Sequence, residues 1–312
     1  MQRQIHSLIK SKNEIIQDLK AQGKRIFHVL SFGGGTQSAW LLDQHIRGFI
    51  DYDLIVFADT GAEPQFIHEQ VAWWKQRMRD QGCTTPFQIV THNRFQGGLE
   101  EMLFRYIFTD YDRFQMVAHC DGGGMLPRQC TVDFKIVPAQ RAARRMVMGK
   151  NSTFPNDVAI VMDIGFAADE QRRAKRNQSL QYSYVWLTYP MIDAGISTED
   201  SMEYLRNNNF PIRRSRCYFC PFMSDKKPGM SWHEIIKDEP FSFLKACWID
   251  EKLREVVRNG HKKLKKLPYF HVERQPLRDV YRDYYLSLYS QYYAQLNTWI
   301  ENMKAIIKVS NQ

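Results

Sequence analysis

Long apolar runs are missing from this chain. None reaches the roughly 18 residues that a membrane-spanning helix requires, and the start, Met1-Gln2-Arg3-Gln4-Ile5-His6, carries no apolar signal-peptide core. These absences exclude a helical membrane protein and lead us to expect a cytoplasmic one with no membrane partner. Cysteine is sparse as well: six in 312 residues, no two of them adjacent and none after Cys247. In the reducing cytoplasm such cysteines are free thiols or metal ligands rather than disulfides. No internal repeat and no low-complexity segment occurs, which excludes solenoids and disordered tracts. Acidic residues are the minority sign, 34 against 43 Lys and Arg, and the formal charge of +9 suits a polyanion such as tRNA or DNA. The bland alternative is a basic surface that only aids solubility. Basic residues do cluster, at 141–145, 172–176, 213–216 and 261–266.

What stands out is Ser31-Phe32-Gly33-Gly34-Gly35-Thr36-Gln37-Ser38, between the apolar run Ile26 to Leu30 and a helix-like stretch from Ala39. A glycine-rich turn lets successive N–H groups point into one hollow, and the helix that follows adds its positive end. The segment therefore reads as a phosphate cradle for Ser31, Gly33, Gly34, Gly35, Thr36, Gln37 and Ser38, although it lacks both the G-x-x-x-x-G-K-[ST] and the G-x-G-x-x-G spacings.

Around it, apolar and polar periods alternate. Residues 4–22 have helical spacing, with Ile5, Leu8, Ile9, Ile15, Ile16 and Leu19 on one side; 25–31, 54–58, 87–91, 158–164 and 184–189 read as strands, 39–47 and 65–79 as helices. Strand–helix alternation at this spacing predicts an α/β fold, a Rossmann-like and mostly parallel sheet with helices on both faces. The Asp- and Gly-rich stretch 110–127 reads as a mobile loop or lid, and residues beyond Asp225 as mainly helical. Three parts are expected: an N-terminal helix (1–24), a nucleotide-binding α/β domain (25–195) and a cysteine-bearing, mainly helical region (196–312). The stripe Tyr281, Tyr284, Tyr285, Leu288, Tyr289, Tyr292, Tyr293 and Leu296 suggests a core or a homo-oligomer face, with a base-stacking platform as the lesser reading.

Two further motifs carry chemistry. Arg128-Gln129-Cys130-Thr131-Val132-Asp133-Phe134-Lys135 joins two cations and a thiol, and Arg128 and Lys135 suit phosphate oxygens, the first bidentately. In Cys217-Tyr218-Phe219-Cys220-Pro221, two thiols three residues apart can face one metal, with Tyr218 and Phe219 shielding it from water. A redox dithiol without metal is the other direct reading of that spacing. Cys83 is expected to be inert, Cys247 to belong to a core, and His28 and His92 to be structural.

In several motifs in the same order, over roughly residues 25–280, the chain resembles the phosphoadenylyl sulfate (PAPS) reductase-like family of the adenine nucleotide alpha-hydrolase superfamily. Its loop is similar to S-G-G-x-D-S of the N-type ATP pyrophosphatases, departing at Gly33 for Ser and at Gln37 for Asp, which bears on magnesium and pyrophosphate handling. Asp59-Thr60-Gly61-Ala62-Glu63-Pro64 resembles D-T-G-x-x-P, Arg128 to Pro138 resembles R-x-C-T-x-x-x-K-I-x-P, and Ile164-Gly165 with Glu170 and Arg173 resembles I-G-x-x-x-x-E-x-x-R. The second of these recurs in phage-encoded members and in the sulfur-transfer enzyme of DNA phosphorothioation. The resemblance puts Asp59 and Thr60 at the adenosine and adds Arg173 to the nucleotide site. It also implies a three-cysteine centre of Cys130, Cys217 and Cys220 holding a four-iron four-sulfur cluster. Zinc, closed by Cys247, Cys120, His119 or His233, is the alternative occupant.

The expected function is ATP- and Mg²⁺-dependent adenylation of an acceptor, a tRNA, a DNA or a small molecule, coupled to sulfur transfer. Arg128, Lys135 and Cys130 would serve catalysis, and a cysteine desulfurase would be the sulfur donor. A reductase of PAPS or adenylyl sulfate is the enzymatic alternative, disfavoured because no cysteine follows Cys247 and no Cys-Cys pair occurs. A nucleotide-binding sensor or accessory subunit is the non-enzymatic one.

Overall fold

The computed structural model describes residues 10–151, 153–176, 182–226, 229, 231–260 and 262–309. Ile5, Leu8 and Ile9 of the expected first helix, and His261 of a basic cluster, lie outside them. Along the chain run α1 (Lys12–Ala21), β1 (Arg25–Ser31), α2 (Thr36–Ile46), β2 (Leu54–Ala58), α3 (Gln65–Asp80), β3 (Phe87–Val90) and α4 (Gly98–Phe108). There follow β4 (His119–Cys120), the turn α5 (Gln129–Thr131), a π-helical turn (Val132–Ile136), α6 (Val137–Met148), β5 (Val158–Ile164), α7 (Gln171–Arg176) and β6 (Val185–Thr188). The remainder is α8 (Pro190–Asp193), α9 (Thr198–Asn207), α10 (Trp232–Asp238), α11 (Pro240–Arg258), β7 (Pro268–Tyr269), α12 (Leu277–Val280) and α13 (Arg282–Val309).

These elements form two units, each built from three pieces of chain: residues 1–58, 66–90 and 137–215 in the first; 59–65, 91–136 and 216–312 in the second. Residues 91–136, expected within the nucleotide-binding domain, thus group with the C-terminal helices, and 196–215 group with the sheet.

The first unit is a five-stranded parallel sheet of order β3-β2-β1-β5-β6. Its strands read as near-continuous apolar runs because both faces are covered. Alternate residues of β5 go to opposite sides: Ile160 and Met162 pack with Ala139, Ala142 and Ala143 of α6, while Ala159 and Val161 pack with Leu19 of α1. Successive connections therefore cover both faces, and the chain reverses its direction of strand addition between β1 and β5. In such sheets ligands sit beyond the carboxyl ends of the strands at that switch point. The α/β expectation thus holds in detail, with strand bounds within one residue of those expected.

The second unit is mainly helical. Phe104 of α4 packs on Leu296, Ile300, Met303 and Ile307 of α13, and its ring lies 5.1 Å from that of Trp248 in α11. Residues 110–127, expected as a mobile loop or lid, are packed in part. Residues 115–120 are buried, β4 pairs antiparallel with β7, and the Lys262 ammonium donates to the carbonyls of Thr109 (2.7 Å) and Tyr111 (3.1 Å). Desolvated apolar residues such as Met116 and Val117 explain that burial. In the tyrosine-rich helix α13, Tyr285, Leu288, Tyr289 and Tyr292 are half-buried, Leu296 is buried, and Tyr284 and Tyr293 are exposed. No described helix is long and apolar enough to cross a membrane.

Candidate nucleotide loop and cysteine cluster

The loop lies in the first unit, directly after β1. Gly34 takes φ +70°, a conformation that side chains disfavour, and a Cβ there would press on Ile67 and Phe57 at 3.2 Å. Ser38 braces the turn from inside: its Oγ accepts the Gly33 N–H (3.1 Å) and donates to the Gly35 carbonyl (3.1 Å). Gln70 holds it from outside, donating to the Gly34 carbonyl and to Arg213 O (3.2 Å) while accepting the Arg213 N–H (3.0 Å). Helix α2 then starts at Thr36 with Gly35 as N-cap and no side chain capping it. Among the described residues the N–H groups of Gly34, Gly35, Thr36 and Gln37 donate to no acceptor. That leaves a row of donors at a helix N-terminus, a site suited to phosphate oxygens.

Sequence reading missed the floor of this cradle. Gly165, just past β5, approaches the loop so closely that a Cβ on it would lie 2.8 Å from the Ser38 nitrogen. The loop thus sits over the switch point between β1 and β5, whose ends pair as Ser31 with Ile164. Gln37, where the resembled motif has Asp, is tied up. Its Oε1 accepts the Thr36 hydroxyl (3.0 Å) and its Nε2 reaches the Thr198 hydroxyl (3.4 Å). Thr198 in turn donates from N–H and hydroxyl to Asp169 (2.9 and 3.0 Å). A neutral amide is a poorer magnesium ligand than a carboxylate. Arg173, expected at the nucleotide, pairs with Glu170 and lies 4.2 Å over the Phe166 ring.

The second unit gathers the thiols. Cys130 stands on α5, and Cys217 and Cys220 on a tight turn closed by Cys220 N–H donating to Cys217 O (3.1 Å). All three are half-buried. Cys220 feels the charge of Cys130, Cys217 feels that of Cys220, and Lys135 feels those of Cys217 and Cys220, so two motifs over eighty residues apart in sequence share one neighbourhood. Burial pushes the Cys217 thiol well up, Glu63 adds to that, and Lys135 opposes it. Cys220 is raised by burial too, with Arg128 among the groups opposing.

Thr60 and Lys135 meet here through a residue that sequence reading overlooked, Glu63. The Thr60 N–H (2.9 Å) and hydroxyl (2.5 Å) both donate to Glu63 Oε2, and the same hydroxyl lies 3.4 Å from Cys217 Sγ. Lys135 Nζ stands 3.3 Å from Glu63 Oε1, close enough for an ion pair but off the line of a hydrogen bond. Burial works to raise the Glu63 carboxyl, but Lys135 and the Thr60 donors outweigh it and hold it below the usual range. Burial likewise disfavours the Lys135 ammonium, and Glu63 with the thiols more than compensates. Lys135 sits in the wide π-helical turn, a local geometry that recurs at functional sites. Asp59 accepts the Gly61 N–H (2.8 Å), while the Thr60 carbonyl accepts the Leu99 N–H (2.7 Å).

Tyr218 and Phe219 are buried; the Tyr218 N–H donates to Ala62 O (2.9 Å) and its hydroxyl to Glu100 (2.7 Å). Arg128, exposed, stacks 4.9 Å over Phe222. The other proposed zinc ligands have their own settings. His119 Nε2 contacts Pro221 O (3.0 Å), His233 Nδ1 lies 3.0 Å from Asp225, Cys120 is in β4, and Cys247 is buried in α11 beside Asp250.

No protein-family model and no curated protein matches the chain.

A single tetrahedral ion needs donors that converge on one point, and among the described residues no three His, Cys, Asp or Glu do so. A cluster takes each thiolate on a different iron and needs no such convergence. Three neighbouring thiols are a donor set that suits a cluster, and Lys135 and Arg128 oppose the burial that raises Cys217 and Cys220.

Proposed function

We propose that this chain is an ATP-dependent sulfurtransferase related to the PAPS reductase-like proteins. It binds ATP on residues 33–38 and uses the centre of Cys130, Cys217 and Cys220 to deliver sulfur to a nucleic-acid acceptor in the cytoplasm. What carries this reading is the shared neighbourhood of Cys130, Cys217, Cys220 and Lys135 in one unit, and in the other a glycine-rich loop whose N–H groups, among the described residues, donate to no acceptor.

The chemistry balances without any redox change at carbon. An acceptor carbonyl oxygen attacks the ATP α-phosphorus, an O–P bond forms, and pyrophosphate leaves. Sulfide then adds at the activated carbon, the C–O bond breaks, and AMP departs with the oxygen, leaving a thiocarbonyl. The loop N–H groups hold the phosphates and offset charge as it shifts to the leaving pyrophosphate. The Glu63–Lys135 pair and Thr60 fix the surroundings of Cys217, while Tyr218 and Phe219 keep water away. A four-iron cluster on Cys130, Cys217 and Cys220 would supply an open iron for the sulfur in transit.

Iron and acid-labile sulfide, measured with the visible spectrum on protein purified without oxygen, test this directly. Equimolar iron and sulfide that disappear in Cys217→Ser, with ATP binding intact, are expected. Zinc alone, or no metal, sinks the sulfur-insertion reading and leaves sulfate-nucleotide reduction or nucleotide sensing. Release of AMP and pyrophosphate on adding acceptor separates an enzyme from a sensor.

A further inference from the structure

Helix α6 of the first unit carries Arg141, Arg144 and Arg145 on one side, at i, i+3 and i+4, opposite the buried Ala139, Ala142 and Ala143. Lys150 follows the helix, and no acidic residue occurs between Asp133 and Asp157. Among the described residues none of these four cations pairs with a carboxylate. Like charges so spaced destabilise a helix, and only Arg145 is in the last turn, where the helix dipole relieves a cation. Beside them three aromatic rings form a ladder. Phe154 and Tyr184 stack at 4.1 Å and 17°, and Tyr184 and Tyr182 at 5.3 Å and 15°. Arg144 lies near enough to the Tyr184 hydroxyl to favour its ionised form, which joins ridge to ladder. All three rings are half-buried, so each keeps an edge or face toward solvent.

We propose that this ridge and ladder form a binding surface for single-stranded nucleic acid, with Arg141, Arg144, Arg145 and Lys150 on the phosphates and the Tyr182 end of the ladder against a base. Phosphates supply the counter-charge that the ridge lacks, and stacked rings accept any base by its π-face. The surface rests on the reading of a nucleic-acid acceptor, but binding to it needs neither ATP turnover nor sulfur, so the two fail separately.

The test is fluorescence anisotropy of the full chain with a labelled 20-nucleotide oligo-dT, an oligo-U and a 20-base-pair duplex, between 50 and 300 mM KCl. The triple variant R141Q/R144Q/R145Q should weaken single-strand binding tenfold or more at 100 mM and cut the slope of log K against log salt by about two. K263Q/K265Q/K266Q removes the same formal charge from exposed lysines elsewhere and should cost less than threefold. Tyr182→Leu should weaken binding while leaving the salt slope unchanged. Circular dichroism melting establishes that each variant is folded. Equal losses in the two triple variants reduce the effect to net charge and overturn the surface; so does a folded arginine variant that binds like the parent. Duplex binding as tight as single-strand binding overturns the ladder's part. Preference for oligo-U or oligo-dT distinguishes an RNA from a DNA partner.

Discussion

The glycine-rich loop and the cysteine cluster are built in opposite ways. The loop is one run of eight residues, held by a strand before it, a helix after it and a few side chains such as Ser38 and Gln70. The cluster draws on three distant pieces of chain, 59–65, 128–135 and 216–220, and depends on a buried ion pair and close backbone contact. A contiguous site carries its conformation largely in its own residues, so damage to it should cost function before stability. An assembled site is part of the packing of its unit, and damage should cost stability first.

The largest effect expected is at Gly98, where φ is +65° and a Cβ would lie 2.0 Å from the Thr60 carbonyl. Gly98→Ala should destabilise by more than about 3 kcal/mol or prevent folding of the cysteine-bearing unit, as read by urea unfolding. Its counterpart Gly165→Ala should keep a folded protein yet weaken ATP binding tenfold or more, because the added methyl displaces the start of α2. Equal stability losses at both glycines would erase the contrast between the sites.

Next is Lys135→Met. It strands the buried Glu63 carboxylate, but the lysine side chain is 35% exposed, so the loss should be about 2 kcal/mol rather than the larger figure for a fully buried pair. Because Glu63 is held below its usual range, its contribution is complete above the unfolded value of about 4.3 and disappears as pH falls through the lower folded value. The lysine, held above its usual range, contributes below an unfolded value of about 10.4 and loses that contribution as pH rises through the folded one. In Lys135→Met burial of Glu63 is opposed by its hydrogen bonds alone, so its folded value rises and the stability lost on acidification below about pH 5 should be smaller than in the parent. Unchanged acid unfolding would show that the pair contributes nothing.

A smaller effect is expected at Ser38→Ala, about 1 kcal/mol from the two lost loop hydrogen bonds, with ATP binding reduced several-fold. Unaltered binding would mean that the glycines alone shape the loop. Least costly is Gln37→Asp, within about 0.5 kcal/mol in stability, which should make ATP binding more dependent on Mg²⁺. No change in titrations with and without Mg²⁺ would remove position 37 from metal handling.

Local signals made the sheet legible. The apolar runs of β2 and β5 were readable because a parallel strand buried on both faces is apolar along most of its length, that of β1 from Ile26 to Leu30, and the glycine turn because it lies within one segment. Glu63 was not legible, since an acid between Ala62 and Pro64 resembles any turn residue until burial and Lys135 give it a role. Gly165 was visible as part of a motif but not as the floor of the loop, because its contact with Ser38 spans two strands. The burial of residues 115–120 was not legible because Asp and Gly mark turns whether or not the residues between them are buried.

By itself the sequence determined the strand and helix order, the α/β class and the glycine-rich turn after β1, all consequences of periodicity and backbone freedom acting over a few residues. Only the tertiary structure decided which thiols share a neighbourhood, which acid meets Lys135, and that residues 91–136 pack with the C-terminal helices. Those outcomes depend on burial and on charges brought together from far along the chain, and no local pattern encodes them.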